Sequence, residues 1–257
     1  MNPVLPAAIL TVPLAHRALH DAADGRPENS RAAIRAAIAA GYGVEIDLQL
    51  SSDGCAMVFH DNDLDRLAEA SGPIRAKTCS ELQAIPLKGG DGEGIPELSE
   101  VLEAVAGQVP LLIELKDQDG EMGLTDGALE RATAEALKGY AGPVAVMSFN
   151  PNSVAELAQL APEIARGITT SAYDPAEWPE LPKAVCDGLR GIPDFARTGA
   201  SFISHEAGDL PRPRVQALRN DGVPVLCWTV TSAVEESAAR VFADNVTFEQ
   251  YLSPLTP

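Results

Sequence analysis

The sequence predicts an α/β fold, a single (β/α)8 barrel of the TIM type with a small insertion after its second strand. Strand-like apolar runs alternate with Ala/Leu/Glu-rich helical stretches from end to end, the mark of a parallel sheet with crossover helices. Eight such runs can be drawn, and a chain of 257 residues falls in the range that one barrel occupies. The runs are residues 11–15, 43–48, 110–115, 144–148, 164–168, 201–203, 223–229 and 241–243.

The helix after the first run is marked at both ends. Pro27-Glu28-Asn29-Ser30 supplies cap residues, Ile34 and Ile38 lie four apart on one face, and Gly41 stops it. Leu98, Val101, Leu102 and Val105 mark a second helix. Between the second strand and that helix, residues 53–96 are too many for a simple loop; they hold an apolar run at 56–59 and a Gly-rich stretch at 89–94. This reads as a small insertion able to roof an active site, within one domain spanning residues 1–257. No repeat, coiled coil or long linker divides the chain.

Charge narrows the function classes. With 37 acidic against 19 basic residues the formal charge is −18, which repels nucleic acids and anionic membranes, so a small-molecule ligand is expected. A phosphate ester would need that field reversed locally, and a bound divalent cation does this. Cys55, Cys79, Cys186 and Cys227 are widely spaced, as free thiols in a reducing cytoplasm would be. The apolar start at residues 4–14 has no cationic flank, is broken by prolines and runs into His16-Arg17; neither a signal peptide nor a membrane span is expected.

The chemistry-bearing residues sit at strand ends. In Val44-Glu45-Ile46-Asp47-Leu48-Gln49 the period of two puts Glu45, Asp47 and Gln49 on one face and the aliphatics on the other. Two carboxylates facing into a barrel repel unless a cation, proton or basic group lies between them, and hard oxygen donors suit Mg2+ or Ca2+. A strand with one solvent face is the alternative. Leu112, Glu114 and Lys116 likewise share a face, ending at the strand's C-terminal rim, where barrel enzymes keep their catalytic groups. Glu114 suits a third ligand and Lys116 a phosphate contact, unless the two form only a local charge pair. His16 and His60 each follow an apolar segment, and imidazoles there suit acid and base roles. Arg17 suits a bidentate phosphate clamp, Trp228 a pocket wall; His20 and His205 have weaker cases.

Taken in order, His16-Arg17, Pro27-Glu28-Asn29-Ser30, Glu45-Ile46-Asp47, Asp53-Gly54, His60-Asp61, Ile95-Pro96-Glu97-Leu98, Ile113-Glu114-Leu115-Lys116, Ser148-Phe149 and Trp228-Thr229-Val230 resemble the glycerophosphodiester phosphodiesterase family over nearly the whole chain. The resemblance implies a barrel in which Glu45, Asp47 and Glu114 bind one divalent cation, Mg2+, Ca2+ or Mn2+. It implies that His16 and His60 serve as acid and base, and that Arg17 and Lys116 contact the phosphate. It implies hydrolysis of glycerophosphodiesters to glycerol 3-phosphate and an alcohol. Ala18 stands where that family usually has Gly, and the last strand lacks its usual glycine. Competing readings are a phospholipase-like phosphodiesterase or cyclising lyase on the same barrel, a Schiff-base aldolase using Lys116, and a non-catalytic binding protein.

Overall fold

The computed structural model describes residues 3–255. Nine strands form one sheet: β1 (Leu14–Ala15), β2 (Gly43–Leu50), β3 (Ala56–Val58), β4 (Leu111–Leu115), β5 (Val144–Ser148), β6 (Ala165–Thr170), β7 (Phe202–Glu206), β8 (Val225–Val230) and β9 (Asn245–Phe248). All but β3 are parallel, and β1 pairs with both β2 and β9, closing an eight-stranded barrel. The helices are α1 (Ala7–Thr11), α2 (Arg31–Ala40), α3 (Cys79–Ala84), α4 (Leu98–Val105), α5 (Ala128–Ala136), α6 (Pro151–Leu160), α7 (Lys183–Leu189), α8 (Pro213–Asn220) and α9 (Ala233–Ala239). Among the described residues, no helix is long and apolar enough to cross a membrane.

Two apolar regions follow from the strand period. Val44, Ile46 and Leu48 point outward into the large core shared with the helices. Leu14, Leu112, Ala145, Met147, Ala165, Phe202 and Leu226 form a separate interior cluster with Leu5 and Ile9 of the N-terminal segment. Gly167 makes this inner packing feasible, because a Cβ there would lie 2.4 Å from the Phe202 ring. The barrel is therefore oily at its closed end. Along β2 and β4 the same inward face turns polar toward the C-terminal rim, and the register pairs Asp47 with Glu114.

Two strand expectations are corrected. Residues 11–15 yield only a two-residue strand, because Ala7–Thr11 forms a short helix that seats Ile9 against the interior cluster. The last strand is Asn245–Phe248 and not residues 241–243. Phe242 and Ala243 donate their N–H groups to Ala239 O and so close α9, while Val241 is exposed. Asn245 enters the strand because its side-chain amide donates to Ile9 O (2.8 Å) and Val12 O (2.6 Å), holding the N-terminal segment in place.

Residues 53–96 form a small lobe with its own apolar cluster, including Met57, Phe59, Leu64, Ile74 and Leu82. β3 pairs antiparallel with the far end of β2, Gln49 opposite Met57, so the hairpin turns the chain back over the rim and delivers His60 there.

Candidate active site

The turn after β1 is built around Glu45. Arg17 and Ala18 both have left-handed backbone angles (φ 52° and 65°), a geometry that costs about 1–2 kcal/mol per residue with a Cβ. In return Arg17 N donates to Glu45 Oε2 and Ala18 N to Glu45 O, each at 2.9 Å. Ala18 thus keeps the left-handed turn without the usual glycine.

Glu45, Asp47 and Glu114 are all buried, and a carboxylate oxygen from each lies within 4.8 Å of the others. Lys116 Nζ sits 2.7 Å from Asp47 Oδ1 and 2.5 Å from Glu114 Oε1. Asn29 Nδ2 donates to Asp47 Oδ2 (2.9 Å) and its carbonyl accepts from Asp47 N, fixing that carboxylate's orientation. Burial raises the proton affinity of Asp47, but Lys116, His60 and Arg17 overcome it and hold the group well below the usual carboxylate range. Glu45 goes the other way: burial first, then the charges of Asp47 and Glu114, push it well above that range. One carboxylate of the three thus lacks a countercharge. Hard, convergent oxygens with an uncompensated negative charge fit a small divalent cation.

Burial would lower the proton affinity of Lys116, yet the carboxylates of Asp47 and Glu114 raise it above the ordinary lysine value. A Schiff-base lysine requires the opposite shift, so the aldolase reading has no support in this environment.

Two histidines flank the carboxylates, each held at Nδ1. His16 Nδ1 lies 2.7 Å from Glu249 Oε2, and His60 Nδ1 lies 2.7 Å from Asp61 Oδ1. A carboxylate at Nδ1 fixes the proton there and leaves Nε2 free to exchange one. Burial lowers the proton affinity of His16, against the bond from Glu249, so its imidazole is neutral near pH 7. Asp61 is in turn gripped by Arg66, which also binds Glu28; Glu28 accepts from Arg17 Nη1 at 3.0 Å. Arg17 Nε is buried without a hydrogen-bond partner, with Asp47 Oδ2 at 3.7 Å as an ionic neighbour, so its N–H can still be given to an anion.

His16, Arg17, Glu45, Asp47, His60, Glu114 and Lys116 line one small pocket of about 90 Å3, together with Met147, Phe149, Trp228, Thr229 and Thr247. It shares His60, Glu114, Lys116, Phe149 and Trp228 with a wider chamber of about 510 Å3 whose walls add Met122, Trp178 and Leu181. Trp228 Nε1 donates to Ser204 O (3.1 Å), and its ring stands edge-on to Phe149 at 5.4 Å. All eight residues singled out from the sequence, His16, Arg17, Glu45, Asp47, His60, Glu114, Lys116 and Trp228, meet here. His20 does not; its Nε2 lies 3.4 Å from Glu249 Oε2, the same oxygen that meets His16. His205 is fully buried between Thr170 Oγ1 and Asp209 Oδ2, away from the pocket. Sequence reasoning passes over Glu249, whose signal is its place directly after the last strand, and over Trp178, which lies in an irregular segment.

Carboxylates and cations face one another at the barrel mouth with an imidazole on either side, an arrangement chemically able to handle an anionic ester. Fold and family together place the chain among phosphodiesterases of the α/β-barrel type. The model of the glycerophosphoryl diester phosphodiesterase family matches residues 16–248, and the chain belongs to that family. Its relatives include YhdW of Bacillus subtilis strain 168, 27% identical over 236 residues, 88% of this chain and 90% of that protein. The glycerophosphodiester phosphodiesterase of Caldanaerobacter subterraneus is 33% identical over 150 residues, 55% of this chain and 60% of its own length. Among solved structures, an Oleispira antarctica phosphodiesterase in complex with the product sn-glycerol-3-phosphate superposes with a TM-score of 0.74 at 27% identity, covering 93% of this chain and 94% of its own.

Proposed function

We propose that the protein hydrolyses glycerophosphodiesters to glycerol 3-phosphate and a free alcohol, with a divalent cation, Mg2+ or Ca2+ with Mn2+ as a third option, held by Glu45, Asp47 and Glu114. The observation that carries this reading is the pair of carboxylate-held imidazoles on one pocket with the three carboxylates. When bound, the cation supplies polarisation of the phosphoryl oxygens and neutralisation of the developing charge.

Arg17 and Lys116 bind the non-bridging phosphate oxygens, Arg17 through an Nε that makes no hydrogen bond within the protein. His16 and His60 divide the proton work: one takes the proton of the attacking oxygen at Nε2, the other delivers one to the departing alkoxide. The neutral state of His16 suits it to the first role. The attacking oxygen belongs to water or to the neighbouring glycerol hydroxyl, which would give a cyclic phosphate before hydrolysis. Trp228, Phe149 and Trp178 offer the released alcohol an apolar wall.

The test is release of glycerol 3-phosphate from a panel of glycerophosphodiesters with and without EDTA, followed by add-back of Mg2+, Ca2+ and Mn2+. Release that stops with chelator and returns with one of these ions is expected; His16→Ala and His60→Ala should each lose it. Turnover indifferent to EDTA, or retained in both variants, overturns the mechanism.

A further inference from the structure

Outside the catalytic pocket, the root of the small lobe brings two thiols and a carboxylate together. Cys55 Sγ, Cys79 Sγ and a Glu97 carboxylate oxygen all lie within 4.8 Å of one another. They come from three separate elements: Cys55 precedes β3, Cys79 opens α3 and Glu97 precedes α4. Their backbones are fixed by other bonds. Cys55 N donates to Ser51 Oγ and Cys79 N to Asp53 Oδ1, both at 2.8 Å, so the three donors converge on a scaffold that does not depend on their own contact.

We propose that Cys55, Cys79 and Glu97 form a second metal site, for a soft divalent cation of the Zn2+ type, distinct from the all-oxygen cluster at the barrel mouth. The donor set selects the ion: thiolate sulfur favours Zn2+ over Mg2+ and Ca2+, and three protein ligands leave a fourth tetrahedral position to water. Access is available, since Cys55 and Glu97 are both partly exposed while Cys79 is buried. Cys79 Sγ already points at Glu97 Oε2, 3.7 Å away. Binding is balanced as an exchange: the ion enters, both thiols release their protons to solvent, and the carboxylate binds as it stands.

A disulfide between the same cysteines accounts for less. It has no use for Glu97, and its formation needs a thiolate, whereas burial, Cys55 and Glu97 together push the Cys79 thiol up to about 12. A cation reverses that effect; an oxidant does not. The bound ion would tie β3 and α3 to α4, and so brace the hairpin that carries His60 a few residues further on. This site stands independently of the catalytic reading.

The test uses the full-length reduced protein, with excess Mg2+ to occupy the oxygen donors, titrated with Co2+. Thiolate ligation gives a near-ultraviolet sulfur-to-cobalt charge-transfer band that oxygen donors do not produce. One equivalent should raise the band, Zn2+ should abolish it, and it should persist in Glu114→Gln. Cys79→Ser and Cys55→Ser should each lose it and bind Zn2+ at least tenfold more weakly, with circular dichroism and phosphodiesterase turnover kept within twofold. In the unmutated chain, Zn2+ should slow alkylation of Cys55 by at least tenfold, which tests the site without any substitution. Absence of the band, its survival in Cys79→Ser, or an intact mass lower by two hydrogens with no bound metal overturns the proposal; the last would mark the pair as a disulfide.

Discussion

Glu249 should govern the rate through His16 without touching substrate. Its Oε2 lies 2.7 Å from His16 Nδ1, and it is absent from the walls of the catalytic pocket. A hydrogen bond between charged groups is worth about 1.5–3 kcal/mol, and the full value is felt when His16 becomes an imidazolium as it takes the proton. At about 1.36 kcal/mol per tenfold in rate, Glu249→Gln should lower kcat by about ten- to 150-fold. KM should change less than about threefold, since no uniform binding contact is lost. The pH profile gives an independent reading. Burial holds the His16 pKa below its ordinary 6.5 and the Glu249 bond pulls it back up. A base works when neutral, so activity falls as pH drops through that pKa, and without the carboxylate the fall moves to lower pH. Steady-state kinetics across pH 4.5–9, with His20→Ala as a control for the longer 3.4 Å contact to the same oxygen, decide the matter. A variant that keeps half of the normal kcat, or loses activity only through KM, refutes the positioning role.

Three further outcomes follow from the same electrostatics. Glu45 has a raised folded pKa, so its contribution to stability is full below about 4.5 and is lost as pH rises through the folded value; in chelator, stability should fall with rising pH, Glu45→Gln should gain roughly 1–2 kcal/mol at pH 7, and excess Mg2+ should flatten the dependence, all readable by urea unfolding. Lys116→Met removes the cation between Asp47 and Glu114; breaking such a buried pair costs about 3–5 kcal/mol, so the variant should melt earlier in EDTA, recover with a divalent ion, and still lose at least about 100-fold in kcat/KM. Trp178→Ala should raise KM for diesters of bulky alcohols several-fold and leave the smallest alcohol nearly unaffected, as a comparison of kcat/KM across the panel would show.

The layer of candidate site residues was legible because strand periodicity is strict. Once residues 43–50 are read as a strand, Glu45, Asp47 and Gln49 must share a face, and the same rule aligns Glu114 with Lys116. Burial of every residue of β2 then says that this face is the barrel interior and not solvent. What stayed hidden depends on contacts between distant segments. Asn245 lowers the strand signal of its segment, yet it pairs with backbone carbonyls of Ile9 and Val12, more than two hundred residues earlier. Glu249 carries no pattern of its own; its role exists only because β9 closes against β1 and brings it beside His16. Cys55 and Cys79 are scattered along an insertion with no repeating period, Glu97 lies just past it, and only folding gathers the three. Trp178 reaches the chamber from an irregular stretch, where periodicity says nothing about facing.

The pocket also resolves how a chain of formal charge −18 can take an anionic substrate. Exposed charge is screened beyond roughly 8 Å at physiological salt, so the groups in contact with the phosphate decide. Glu28 and Asp61 share Arg66, and Glu28 draws on Arg17 as well, so Glu45, Asp47 and Glu114 face Lys116 and a guanidinium that is already shared. The carboxylates thus outnumber the cations that face them, an arrangement that rejects a phosphate. Under the proposed chemistry, a divalent cation would offset that excess and admit a phosphodiester monoanion. Glycerol 3-phosphate, which approaches two negative charges near neutral pH, would bring more negative charge than the diester into the same cradle. The carboxylate that lacks a countercharge thus makes binding conditional on the ion and sets substrate and product apart by charge: Glu45→Gln should bind glycerol 3-phosphate more tightly than the unmutated protein in chelator, and equal affinities in an inhibition assay or by calorimetry would sink this account.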